Sequence, residues 1–290
     1  MGFPVPTDFA SRPVAVIGAG TLGRRIALMF ATRGGTVRVF DPSAEQRAAA
    51  VEYVEQELGS TIKTLRLAGP PGEVVAGDDQ DAAVQDTWLV VEAVPEVLDL
   101  KKKVFGQLDA AAPADAILAS NSSSYASRMF IDHVKRPERV LNTHFYMPPA
   151  SITLDVMSCG KTDRAVIDFV LETFPRYGLR PFEARKESTG FIFNRIWAAI
   201  KRESLEVVAE GVSTPQDIDE MYVLNFGTRY GPFRMIDQVG LDVALDIEEH
   251  YAAENPHLPE GPRKVLREYI DRGRLGVKTG AGFYDDYKTG

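Results

Sequence analysis

The chain has 290 residues, 44% of them hydrophobic and 26% charged, with a formal net charge of −8. That length exceeds one small domain and suits two, each able to bury a core. The acidic balance argues against nucleic acid and anionic membrane as partners, because both attract basic surfaces.

Cys159 is the single cysteine, which excludes an intramolecular disulfide and a thiolate-built metal site, and no metal is expected. Residues 1–13 hold no apolar run of signal-peptide length. No segment approaches the roughly 20 apolar residues of a membrane span, so a cytoplasmic protein is expected.

In chain order, Val14–Ile17 reads as a buried strand, followed by glycines and a helix running to Arg33. Thr36–Phe40 reads as a second strand, ending at Asp41-Pro42, and Ser43 is a good N-cap for a helix reaching Leu67. Residues 88–91, 116–119 and 140–143 are further strand candidates separated by helical segments, and 152–157 is another. Strand and helix in alternation predict an α/β protein with a doubly wound parallel sheet. Beyond Pro181 the texture changes. Phe191, Ile192, Ile196, Trp197, Ile200, Leu205 and Val208 follow helical spacing, and Pro215 opens another helix after Ser213-Thr214. The expected organisation is a Rossmann-type domain over 1–184 and an all-helical domain over 185–290.

Gly18-Ala-Gly20-Thr-Leu-Gly23 stands directly between a strand and a helix. Gly18 permits a tight turn, Gly20 lets the backbone approach a pyrophosphate, and Gly23 lets the helix pack on the strand. The helix N-terminus then offers free N–H groups to the phosphates. Asp41, at the end of the next strand, is expected to accept hydrogen bonds from the adenine ribose hydroxyls. A carboxylate there repels a ribose phosphate, and Pro42 rather than arginine follows it, so NAD is expected over NADP. Arg38, on the same strand, is the one residue that complicates this choice.

Open parallel sheets bind ligands beyond the carboxyl ends of their strands. Asn121 with Ser122, Ser123 and Ser124 follows one such end, and His144 closes the strand that begins at Val140. Oxidising an alcohol by hydride loss needs a group to take the hydroxyl proton. Histidine suits that task, with a carboxylate to orient it. Asp155, near the end of the next strand candidate, is placed to supply that carboxylate. Of the other histidines, His133, His250 and His257 lie in polar stretches. Asn194 is a polar amide inside an apolar helix, and it reads equally as a structural hydrogen bond or as a site residue.

Taken together these segments resemble the 3-hydroxyacyl-CoA dehydrogenase family along nearly the whole chain. The resemblance rests on Val16-Ile-Gly-Ala-Gly-Thr-Leu-Gly23, on Val91-Glu-Ala-Val-Pro-Glu96 through Lys101, and on Ala119-Ser-Asn-Ser-Ser-Ser124. Thr143-His-Phe-Tyr146, Thr189-Gly-Phe-Ile-Phe-Asn-Arg195, Gly231-Pro-Phe with Val239-Gly-Leu-Asp242, and Lys278-Thr-Gly-Ala-Gly-Phe-Tyr284 complete it.

The resemblance implies His144 as general base and acid, Asp155 as its partner, and Ser123 and Asn194 as ligands of the reacting oxygen. It implies Asn121 near the nicotinamide, and Glu96 and Lys101 on the nicotinamide-side ribose. Thr21, Leu22 and Ala93 join the cofactor-binding residues. It further implies a small β-hydroxy or β-keto acyl substrate and a homodimer formed through the C-terminal domain.

The chain also departs from the family. Asp155 replaces the usual glutamate and stands one residue closer to the histidine, so the strands must bring the two backbones together. Met147-Pro148-Pro149 replaces the Asn-Pro that follows the two aromatics. The helix after Asp41 carries Glu45, Glu52, Glu55 and Glu57 against Arg47, Lys63 and Arg66, a poor seat for the phosphates of coenzyme A if that face meets them. A non-CoA β-keto acid or biosynthetic β-keto compound is the alternative substrate. A catalytically silent, crystallin-like NAD-binding protein is the reading from a different class.

Overall fold

The computed structural model describes residues 2–287. Its centre is an eight-stranded sheet of β1 (Val14–Ile17), β2 (Thr36–Phe40), β3 (Glu73–Gly77), β4 (Leu89–Glu92), β5 (Ile117–Ser120), β6 (Val140–Phe145), β7 (Thr153–Ser158) and β8 (Arg180–Ala184). The order across the sheet is β3-β2-β1-β4-β5-β6-β7-β8. The central strands are apolar on both faces, as strands covered on both sides must be. Val16, Leu89, Val91 and Ile117 pack into one layer with Leu28, Trp88 and Phe174. Ile17, Val90 and Leu118 pack into the other with Phe105 and Phe130.

The layers come from α1 (Thr21–Phe30), α2 (Ala44–Leu65), α3 (Gln80–Val84), α4 (Leu98–Ala111) and α5 (Arg164–Thr173). Their starts follow capping chemistry. The side chains of Ser43, Asp79 and Asp163 accept backbone N–H bonds at the heads of α2, α3 and α5. The first six strands run parallel in the doubly wound arrangement, with a ligand crevice expected where β1 and β4 diverge.

Two features correct the sequence reading. β7 runs antiparallel to β6, so the sheet is not wholly parallel. β3 and β8 were also not foreseen. Both alternate exposed with half-buried residues, and β8 contains Pro181, which fits only an edge position. Smaller differences are the extension of β6 through His144 to Phe145 and the end of α2 at Leu65, where Arg66 adopts a left-handed φ of 54°.

The chain divides into two compact units, Met1–Phe191 and Ile192–Gly290. The second is helical, with α6 (Phe193–Ala209), α7 (Pro215–Phe226), α8 (Pro232–Val239), α9 (Leu241–Glu254) and α10 (Gly261–Ile270). Its core gathers Leu205, Phe233, Ile236, Leu241, Leu266 and Phe283. Pro215 stands at the first turn of α7 behind the Thr214 cap, where its missing N–H costs nothing. Among the described residues no helix is long and apolar enough to cross a membrane.

Candidate active site

The glycine loop joins β1 to α1 as its spacing demands. Gly18 has φ +108°, and a Cβ there would lie 2.5 Å from the Ala93 carbonyl oxygen at the end of β4. A Cβ on Gly23 would lie 1.9 Å from the Gly18 carbonyl oxygen. Gly20 faces open space instead, with nothing within 4 Å of a built Cβ. That is the close-approach surface a pyrophosphate needs, with Thr21 and Leu22 opening α1 behind it. These residues fit a dinucleotide.

Asp41 holds the rim of this loop. Its Oδ2 accepts the Ala19 N–H at 2.8 Å and its Oδ1 the Ser43 N–H at 2.9 Å. The carboxylate therefore shapes the loop as well as standing where an adenine ribose is expected. Arg38 directs its guanidinium to the carbonyls of Ala82 and Gln85, where it is occupied rather than poised for a 2′-phosphate. Asp41→Ala is expected to erode the preference for NAD over NADP by roughly tenfold, about 1.4 kcal/mol. The ratio of kcat/KM for the two cofactors measures it.

A buried ionic knot anchors the next loop. The Lys101 ammonium lies 2.8 Å from Glu92 Oε1 and 3.1 Å from Glu96 Oε2, with Lys101 1% and Glu92 0% exposed at the side chain. Glu92 also accepts the Val94 N–H and the Ser120 hydroxyl. Glu96 accepts the Ser122 hydroxyl at 2.5 Å and the Ser124 N–H at 2.8 Å. Burial alone would raise the Glu96 carboxyl, but Lys101 and these hydrogen bonds outweigh it and hold it below its ordinary value. Lys101 thus spends its donors inside the protein, on Glu92, Glu96 and the Val94 carbonyl. Ser122 was named with the serine loop, whereas Glu92 was not singled out from the sequence, although it lies in a quoted segment.

Asn121 turns its side-chain oxygen to the Phe145 N–H at 2.9 Å, tying the serine loop to the strand that carries His144. Ser123 is exposed at the tip of that loop. Asn194 is half-buried on the first turn of α6, within the second unit. Lys201 lies two turns further along the same face, is 5% exposed, and has its ammonium pushed below its ordinary pKa by burial, against the opposing pull of Glu248.

His144 and Asp155 stand directly opposite each other across the antiparallel β6–β7 pair. Cross-strand neighbours approach to roughly 4.5–5.5 Å between Cβ atoms, so a shorter acid at tighter spacing still reaches. His144 Nδ1 lies 3.5 Å from Asp155 Oδ2, with both residues buried, but makes no hydrogen bond. The Tyr146 hydroxyl donates to that same oxygen at 2.5 Å. The other side of the imidazole stacks on Phe191, with centroids 5.0 Å apart and planes at 7°. Phe191 holds this position at φ 53°, a left-handed conformation uncommon for a bulky residue. Tyr146 and Phe191 were present in the quoted motifs, yet only pairing register and backbone conformation bring them to the imidazole.

A parallel sheet with the 3-2-1-4-5-6 order, a glycine loop at its crevice and an acid closing β2 defines a NAD-binding dehydrogenase scaffold. Residues 13–188 match the family model described as 3-hydroxyacyl-CoA dehydrogenase, NAD binding domain, and residues 190–286 match that of the C-terminal domain. The chain belongs to the 3-hydroxyacyl-CoA dehydrogenase family, and its cofactor is NAD.

It is 30% identical over 277 residues to the 3-hydroxybutyryl-CoA dehydrogenase of Clostridioides difficile, covering 94% of this chain and 98% of that protein. It is 44% identical over 152 residues to the 3-hydroxyacyl-CoA dehydrogenase-like protein LAM1 of Cochliobolus heterostrophus; that match covers 50% of this chain and 31% of LAM1. A solved structure described as a diketoreductase acting on dicarbonyl compounds superimposes with a TM-score of 0.80 at 32% identity, over 94% of this chain and 98% of the other.

Proposed function

We propose that the protein interconverts a 3-hydroxyacyl compound and its 3-keto form, with His144 taking the hydroxyl proton in one direction and returning it in the other. The observation that supports this most is the buried, face-to-face placement of His144 and Asp155 at the carboxyl end of β6. Bound NAD supplies the hydride acceptor or donor. Asp155 faces Nδ1, so the proton held there orients the ring and leaves Nε2 for the substrate oxygen. Closing the 3.5 Å gap makes that orientation firm, and such contacts commonly tighten only when substrate is present. Phe191 covers one face of the ring and limits water there. Ser123 and Asn194 are proposed to hold the reacting oxygen, and Asn121 to support the nicotinamide side.

The acyl carrier is open between coenzyme A and a free β-keto compound, and the diketoreductase relative favours including the second. Oxidation of NADH with acetoacetyl-CoA, acetoacetate and a diketo ester tests the reading; turnover of none of them refutes it. Tyr146→Phe gives Asp155 over to His144 and is expected to change kcat by less than roughly tenfold. A loss as large as that from removing His144 would make Tyr146 itself a proton carrier.

Self-association through the helical unit is part of the same proposal. On α7, Met221, Leu224 and Phe226 are 64%, 75% and 71% exposed, a large apolar surface for one helix.

A further inference from the structure

Immediately beyond the glycine loop, α1 presents Arg24 and Arg25 side by side. Both guanidinium groups lie over the ring of Tyr53 on α2, at 5.2 and 5.4 Å from its centroid. Arg25 also donates to the Pro148 carbonyl at 3.0 Å, in the loop four residues beyond His144. Both side chains are half-buried, and the Nε of each is buried without a partner.

Among the described residues no carboxylate lies within ion-pair distance of either guanidinium. Arg12, Arg139 and Arg202 are paired with Asp115, Asp109 and Glu248, whereas Arg24 and Arg25, like Arg263, keep a buried nitrogen with no partner and no carboxylate nearby among the described residues. Two adjacent cations held on one ring repel each other, and an anion bridging their outward edges relieves that repulsion.

The cofactor does not account for the pair. The pyrophosphate seat is the Gly20–Gly23 turn before them. Tyr53 lies about 14 Å along α2 from Ala44, and so from the Asp41 end of that helix. The bond from Arg25 to Pro148 instead places that guanidinium against the loop that follows His144, with Arg24 beside it on the same ring.

We propose that Arg24 and Arg25, backed by Tyr53, form an oxyanion subsite for the substrate, holding a carboxylate of a free acid or a phosphate of an acyl carrier. This rests on the dehydrogenase reading above and specifies its substrate class as anionic. The test compares the native chain with Arg24→Gln/Arg25→Gln, reading NADH affinity by fluorescence and the binding of acetoacetate and acetoacetyl-CoA to the NADH complex by calorimetry. KM values are then taken for those two and for two uncharged probes, methyl acetoacetate and the N-acetylcysteamine thioester of acetoacetate.

The expected result is at least ~10-fold weaker binding and higher KM for a charged probe. Unchanged constants for the uncharged probes and unchanged NADH affinity complete it. An effect on acetoacetate identifies the carboxylate, and an effect confined to acetoacetyl-CoA identifies the phosphate. Equal binding of both charged probes by native and variant proteins, no binding of either by the native chain, or a loss of NADH affinity overturns the subsite. Anion binding that depends on the two arginines without turnover of any probe supports the subsite and refutes the dehydrogenase reading instead.

Discussion

Replacing His144 with alanine is expected to lower kcat by ~10²–10⁴-fold, the usual worth of a positioned acid or base. NAD affinity should stay near the native value. The separation follows from the architecture. The loop proposed to hold the cofactor contains Gly18, Gly20 and Gly23 with Asp41 at its rim, at β1 and β2, whereas His144 belongs to β6. Single-turnover reduction of a β-keto substrate, alongside NADH titration, measures both halves. Full activity in the variant would remove His144 from the mechanism, and lost cofactor binding would mean that the substitution had disturbed the sheet. If the native chain binds NADH yet turns over no β-keto substrate, the silent NAD-binding reading takes over.

Lys101→Met is expected to destabilise the fold by about 3–5 kcal/mol, because it leaves the fully buried Glu92 carboxylate without its cation. Urea unfolding at neutral pH measures that loss. The same change should weaken NAD binding, since Glu96 loses its tether to Lys101 while keeping only its serine-loop bonds. A pH signature accompanies it. Glu96 is held below its ordinary pKa, so its contribution is fully present above the unfolded carboxylate value and disappears as pH falls through the lowered one. Without Lys101 the two values draw together, and the acid-side loss shrinks and is complete at a higher pH. An unchanged urea midpoint would show that the knot contributes nothing net.

Much of this was legible in the residues themselves. Apolar runs such as Val14–Ile17 announce strands covered on both faces, and the glycine spacing with Asp41 predicts a dinucleotide loop by steric necessity. Edge strands escaped because half their residues meet solvent, which dilutes the apolar signal in Glu73–Gly77 and Arg180–Ala184. The reversal at β7 escaped for a different reason. A strand buried on both faces carries no periodicity from which direction can be read.

Partnerships were the least visible. The sequence does not show that Glu92, Glu96 and the Val94 carbonyl converge on the Lys101 ammonium. Tyr146 is two residues from His144 in sequence, and alternation returns it to the same side, where Asp155 accepts its hydroxyl and lies 3.5 Å from His144 Nδ1.

The one antiparallel pairing has a consequence for how such enzymes diversify. His144, the proposed base, and Asp155 share a single ribbon, 140–158, whose turn carries Met147, Pro148 and Pro149. The residues expected to hold NAD stand elsewhere, on loops after β1, β2 and β4. On the proposed roles, acid–base chemistry and nucleotide choice are written in separable cassettes. Transplanting the ribbon between relatives should carry the proton-transfer character of the donor with it, while the recipient's nucleotide preference stays behind.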